Sequence, residues 1–217
     1  FQNSKINASD PIAFRNWAMG QANRIRDLMN ARSIRPQGLI IWDLEGQEFD
    51  HPTTYIGDPR VFSYGYAAEM DAVADDVFKT FRDAGYRVGV TIRPSFMQWG
   101  TELPSVCTFD KNHDFKSYYI KVDNPYGQRF HACANSEGIS WTAIPVGNGG
   151  QMMYQRTQVR EVTELLKSKI RYAYDRWGAT LFYMDSAVWS GGTPLEARIL
   201  RELQETFPDV LIIPEQE

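Results

Sequence analysis

Four apolar runs in this chain each end in an ionisable side chain. Gly38-Leu39-Ile40-Ile41-Trp42 is followed by Asp43-Leu44-Glu45, and Arg87 to Ile92 is followed by Arg93. Thr180 to Met184 is followed by Asp185-Ser186, and Val210 to Ile213 leads to Glu215-Gln216-Glu217. A single Asp after a strand is often only a helix cap or a turn residue. Four successive runs ending this way are harder to assign to capping alone. Carboxylates gathered at one place can divide acid–base work when their surroundings separate their pKa values. One then attacks an anomeric carbon or activates water, while a protonated partner gives its proton to the leaving oxygen. Cleavage of a glycosidic bond needs that division of labour.

The neighbouring residues fit a polar substrate with flat apolar faces. Trp42, Trp99, Tyr183 and Trp189 could stack on sugar rings; Trp99 and Trp189 stand just past strand ends, whereas Trp42 and Tyr183 would serve equally well in a core. Arg93 could bind a substrate hydroxyl or carboxylate, or hold Asp43 ionised through a charge-assisted bond. Strand alternation groups Asp43 with Ile41, Arg93 with Thr91, and Asp185 with Tyr183.

Other chemistries have weaker signals. Asp43, Glu45 and Asp185 around a metal would suit hydrolysis of a phosphate or amide, but such sites usually recruit His, and the nearest is His51. The stretch Asp110-Lys111-Asn112-His113-Asp114 starts like a calcium loop, yet Phe115 and Lys121 replace the Gly and Glu an EF-hand requires. Cys107 and Cys133 could form a disulfide, join His113 and His131 around zinc, or be two unrelated thiols. No glycine-rich phosphate loop follows any run, and no Gly-x-Ser-x-Gly elbow is present. The expectation is a site with no metal and no cofactor. A net charge of −4 without a Lys/Arg run argues against nucleic acid as the partner. No run of 18 apolar residues could span a membrane. An opening Phe1 fits removal of a signal peptide, with a secreted or periplasmic protein, and fits an arbitrary boundary equally well.

These residues need a scaffold. In 217 residues, 43% hydrophobic and 23% charged, there is material for one core and one domain. The four runs are continuous rather than alternating, as in parallel strands buried on both faces. Helical patterns separate them. Asp10-Pro11 supplies an N-cap and an N1 proline for a helix to about Ala31. Met70, Val73, Val77, Phe78 and Phe81 form a second stripe, stopped at Gly85. Val159, Val162, Leu165, Leu166, Ile170 and Tyr174 form a third, ending near Gly178. Thr193-Pro194-Leu195-Glu196 reads as a capping box opening a fourth helix through Ile199, Leu200 and Leu203. The alternation predicts an α/β fold of TIM-barrel-like parallel βα units. Residues 94–155 break the rhythm with aromatics and glycines, and read as a folded β-hairpin insertion over the functional face.

The segment Phe182-Tyr183-Met184-Asp185-Ser186-Ala187-Val188-Trp189 resembles the nucleophile strand of retaining glycosidase barrels of the α-galactosidase and endo-α-N-acetylgalactosaminidase type. The resemblance covers about residues 180–217. It implies Asp185 as nucleophile and Glu215, on the next strand, as acid/base, with Glu217 in reserve. Asp43, Glu45, Arg93 and the four aromatics would then bind a carbohydrate substrate. About 157 residues lie outside the insertion, enough for roughly four βα units of a full barrel's eight. An incomplete (β/α)8 barrel has raw sheet edges. A truncated chain, a pair of copies covering those edges, or an open doubly wound sheet would each account for them. The rival functions are a carbohydrate-binding or degenerate barrel without turnover, and a metal-dependent hydrolase.

Overall fold

The computed structural model describes residues 10–34, 36–42, 44, 57–64, 68–94, 96–97, 120–121, 132–134, 140–146, 151–156, 159–185, 187 and 194–215. The fold is α/β, with four α-helices and a four-stranded parallel sheet among these residues. Helix α1 (Pro11–Ala31) starts as its sequence predicts: Pro11 occupies the first turn, and Asp10 accepts from the Ile12 and Ala13 amides at 3.0 Å each. Strand β1 (Gly38–Ile41), helix α2 (Ala68–Asp83) and strand β2 (Arg87–Ile92) follow. After the insertion come helix α3 (Val159–Trp177), strand β8 (Leu181–Met184), helix α4 (Ala197–Thr206) and strand β9 (Leu211–Pro214).

The parallel sheet runs in the order β1-β2-β8-β9, each strand lying beside the one its preceding helix leads from. Among the described strands the order never reverses, so they show no switch point of the kind that defines a doubly wound fold. It is compatible with part of a TIM-like barrel, although the described strands do not close one. Between β2 and α3, the strands β3 (Phe96–Met97), β4 (Ile120–Lys121), β5 (Ala132–Ala134), β6 (Ser140–Val146) and β7 (Gln151–Arg156) pair antiparallel in a separate sheet.

One core joins the helices to one face of the parallel sheet. Val88, Val90, Ile92, Phe182 and Met184 share a cluster with Phe14 and Ala18 of α1, Val73 and Phe78 of α2, Leu166 and Ile170 of α3, and Ile199 and Leu203 of α4. Trp177 is the largest fully buried side chain. It stacks on Phe78 at 4.6 Å, meets the edge of Phe62, and its indole N–H donates to Asp75 Oδ1 at 2.8 Å.

Two expectations change. Of the four parallel strands, β2 is buried on both faces from Val88 to Ile92 and β8 is buried except for half-buried Tyr183, whereas β1 is half-buried throughout and the side chains of β9 alternate between exposed and half-buried. Both are outer strands of the four, and Leu211 and Ile213 of β9 are 45% and 41% exposed on the face away from the helices. The capping box does not form either, because α4 begins at Ala197 and Glu196 makes no side-chain cap bond. Pro194 instead forms a β-bridge, and the Leu195 amide donates to Ala187 O at 3.0 Å with its side chain buried. Burial of Leu195 therefore sets the entry to α4, and the local cap signal is overridden.

Trp177→Ala should cost about 3–5 kcal/mol of unfolding free energy, because it opens a cavity beneath α2 and orphans an indole partner. Urea unfolding followed by circular dichroism measures this, and a loss below about 1 kcal/mol would contradict the packing described.

Candidate functional site

The register decides which side chains meet. Gly89, Thr91 and Ile92 of β2 pair with Leu181, Tyr183 and Met184 of β8, which pair with Leu211, Ile213 and Pro214 of β9. The ladder continues one step beyond the strands, with the Asp185 amide donating to Ile92 O at 2.9 Å and the Glu215 amide to Met184 O at 2.8 Å. Arg93, Asp185 and Glu215 therefore form one row across three neighbouring strand tips. By strand alternation they leave the face opposite Pro214 and the core residues Ile92 and Met184. On the outer strand, Ile41 pairs with Val90, so Trp42 reaches the same open face one row lower, level with Thr91 and Tyr183.

Contacts along these rows are specific. Arg93 Nε donates to Asp185 Oδ2 in an ion pair whose two side chains are 14% and 9% exposed. A positive charge so close favours the ionised form of Asp185. The Tyr183 phenol donates to Glu215 Oε1 at 2.8 Å. That bond is the first cause pushing the phenol up to about 12, with desolvation and the Glu215 and Asp185 charges adding to it. Tyr183 consequently remains a hydrogen-bond donor through the neutral range. The ring of Tyr183 lies 4.9 Å from that of Trp42, and Trp42 is 49% exposed. Thr91, level with both, is small enough to let the two rings meet across it.

Close approach matters beneath this row. A Cβ added to Gly89 would run into the Leu181 carbonyl of the adjoining strand. Behind Arg93, Gly57 has φ +68°, and a Cβ there would lie 2.7 Å from Arg93 Cγ and 2.8 Å from its amide nitrogen. The following residues make a buried charged group. Asp58 accepts from Arg60 Nε at 3.0 Å and Nη2 at 2.8 Å, and Lys169 of α3 approaches it from the other side. Burial alone would push the Asp58 carboxyl up, but Arg60 and Lys169 outweigh it and hold the group below its ordinary 3.8. Sequence reasoning missed Asp58, Arg60 and Lys169. One signal was available: Lys169 falls on the stripe of Leu165, Leu166 and Ile170, where a charge has no solvated place.

Of the residues expected at the site, Arg93, Asp185 and Glu215 share the tip row, and Trp42 and Tyr183 share the row beneath. Asp43, Glu45, Trp99, Trp189 and Glu217 lie outside the described residues, as do Cys107, His51, His113, His131 and the stretch 110–114. Among the described residues, no group of three His, Cys, Asp or Glu side chains is arranged to hold a metal ion, and no helix is long and apolar enough to cross a membrane.

No family model matches the chain, and no curated protein matches it. Among solved structures, the chain is similar to the galactosidase domain of alpha-galactosidase-sucrose kinase, AgaSK, with a TM-score of 0.47 and 13% sequence identity. The match covers 89% of this chain and 24% of that one, so the chain spans about a quarter of its length.

Two titrations follow from this geometry. In Glu215→Gln the Tyr183 phenol should titrate well below about 12, back toward its ordinary 10.0, because the anionic acceptor is gone. Ultraviolet difference titration reads this, and an unmoved midpoint would show that Glu215 is not its partner. Asp58 has a depressed folded-state pKa, so its contribution to stability is complete above its ordinary 3.8 and is lost as pH falls through the lower folded value. Asp58→Asn should therefore flatten the dependence of stability on pH below about 3.8, measured by acid unfolding.

Proposed function

We propose that this chain carries a glycoside hydrolase site, with Asp185 as nucleophile and Glu215 as acid/base. One observation carries the reading: Arg93, Asp185 and Glu215 occupy one row at the tips of three neighbouring strands, above the ring contact between exposed Trp42 and half-buried Tyr183. In parallel sheets with open carboxyl ends, ligands bind at those ends. Trp42 offers an apolar ring of the kind that packs on a sugar face, and it meets the Tyr183 ring, whose phenol donates to Glu215. Neighbouring strands are about 4.8 Å apart. Carboxyls rising from adjacent tips suit the separation of about 5–5.5 Å that a retaining mechanism uses, rather than the wider gap of inversion.

In this mechanism Arg93 keeps Asp185 ionised and fixes its orientation. Asp185 attacks the anomeric carbon as Glu215 passes a proton to the departing glycosidic oxygen, forming a glycosyl ester on Asp185. Glu215 then takes a proton from water, and the resulting hydroxide equivalent displaces Asp185 from the sugar. Protonated Glu215 can keep its bond from Tyr183, because the carbonyl oxygen of a carboxylic acid also accepts. The four βα units are read as part of a (β/α)8 barrel, which their unreversed strand order supports.

A second reading is a carbohydrate-binding barrel without turnover. It is favoured by the partners that each carboxylate has in this structure, Arg93 on Asp185 and Tyr183 on Glu215.

Asp185→Asn and Glu215→Gln should each lower kcat/KM on aryl glycosides by at least about 10³-fold while sugar binding persists. Trp42→Ala should weaken that binding. A wild-type chain that binds sugars but turns over no aryl glycoside or polysaccharide would establish the second reading. One that does neither would end both.

A further inference from the structure

We propose that Lys169 is a positioning residue that aims Arg93 at Asp185 from beneath the sheet tips. Its consequence for catalysis rests on the glycosidase reading above, whereas its effect on Arg93 does not. Lys169 has no exposed side-chain surface. Its ammonium donates to Arg93 O at 2.7 Å and to Gly57 O at 3.1 Å, and lies 3.6 Å from Asp58 Oδ2. Burying an ammonium is costly, and a hydrophobic side chain at this point of the α3 stripe would pack without that cost. The charge is retained where it grips one particular backbone unit. Gly57 O also accepts the Arg93 amide at 3.0 Å, so both backbone polar groups of Arg93 are held by the same clamp. Gly57 leaves room for Arg93 that a Cβ would fill, and its left-handed backbone lies next to Asp58. Asp58 is held in turn by Arg60, whose Nη1 donates to Ser168 Oγ at 2.7 Å, one residue before Lys169. A long side chain such as Arg has many rotamers. With its root gripped on both sides, its guanidinium is directed to Asp185 before any substrate arrives.

The test uses Lys169→Met, Lys169→Arg, Arg93→Met and the Lys169→Met/Arg93→Met double variant of the full chain. The first readout is the Arg93 Nε–H signal in ¹⁵N–¹H NMR, assigned by its loss in Arg93→Met. The wild type and Lys169→Arg should show it downfield and slow to exchange. Lys169→Met should lose or shift it while the dispersed backbone spectrum stays folded. A Lys169→Met protein with the signal unmoved overturns the proposal. Should Lys169→Met fail to fold, Lys169→Met/Asp58→Asn removes both buried charges together and is read in the same way. The second readout is kinetic. On an aryl glycoside, Lys169→Met should lower kcat about tenfold or more with KM within about threefold, and Lys169→Arg should restore it. The double variant should be no slower than Arg93→Met alone, to within about twofold, because both changes act through one guanidinium. Additive losses would mark Lys169 as merely structural and overturn the proposal. If the wild type turns over no glycoside, the glycosidase reading fails and the NMR signal alone decides Lys169. If turnover is present but the Arg93 signal is indifferent to Lys169, only the positioning proposal fails.

Discussion

In a parallel sheet, residues at the same height on adjacent strands are carried side by side, and a shift of one residue would turn each side chain to the other face. The pairing of β2 with β8 and of β8 with β9 is therefore the constraint on which the site depends. It brings Arg93, Asp185 and Glu215 to one level although they are distant in sequence. It also turns all three away from the helices, because Ile92, Met184 and Pro214 precede them on the other face. That register is held by burial of Val88, Val90, Ile92, Phe182 and Met184 against the four helices. The core sets the site by leaving the strands no other alignment that keeps these side chains dry.

The open face joins two kinds of chemistry at short range. An ion pair at the β2–β8 tips meets a phenol–carboxylate hydrogen bond between β8 and β9, and the Tyr183 ring connects that bond to Trp42. Charges placed on low-dielectric walls interact more strongly than the same charges in water. Partial burial of Arg93 and Asp185 keeps their pairing from being screened away, while the exposure of Trp42 leaves an aromatic surface accessible beside them. Apolar surface continues along this face at Leu211 and Ile213.

Support for the tips comes from an unexpected quarter. Asp58 and Lys169 are fully buried and Arg60 is 14% exposed, so the group lost most of its hydration on folding. Their mutual attraction, and the bonds from Lys169 to the Gly57 and Arg93 carbonyls, offset that loss. Gly57 adds a steric wall that no larger residue could form, since a Cβ would collide with Arg93. The site thus has a polar foundation in a region where apolar packing would otherwise suffice.

Periodicity alone made much of this architecture readable. Continuous runs such as Val88–Ile92 require burial, the stripes of α2 and α3 require a helix-covered face, and Asp10-Pro11 starts α1 through bonds to its own first turn; all of these are local patterns that burial and capping enforce. The same runs marked Arg93, Asp185 and Glu215 as residues at strand ends. Local patterns failed where distant contacts compete. Thr193–Glu196 spells a capping box, yet Leu195 is drawn into the core and delays α4. Continuous apolar character in Leu211–Ile213 implied burial on both faces, but β9 lies at the end of the four-stranded order. The meeting of Trp42 with Tyr183 across Thr91, the bond from Tyr183 to Glu215, and the grip of Lys169 on Arg93 all join residues remote in sequence. Only the tertiary structure decides such pairings, because register and packing between elements, and not the preference of any one segment, bring those atoms within reach.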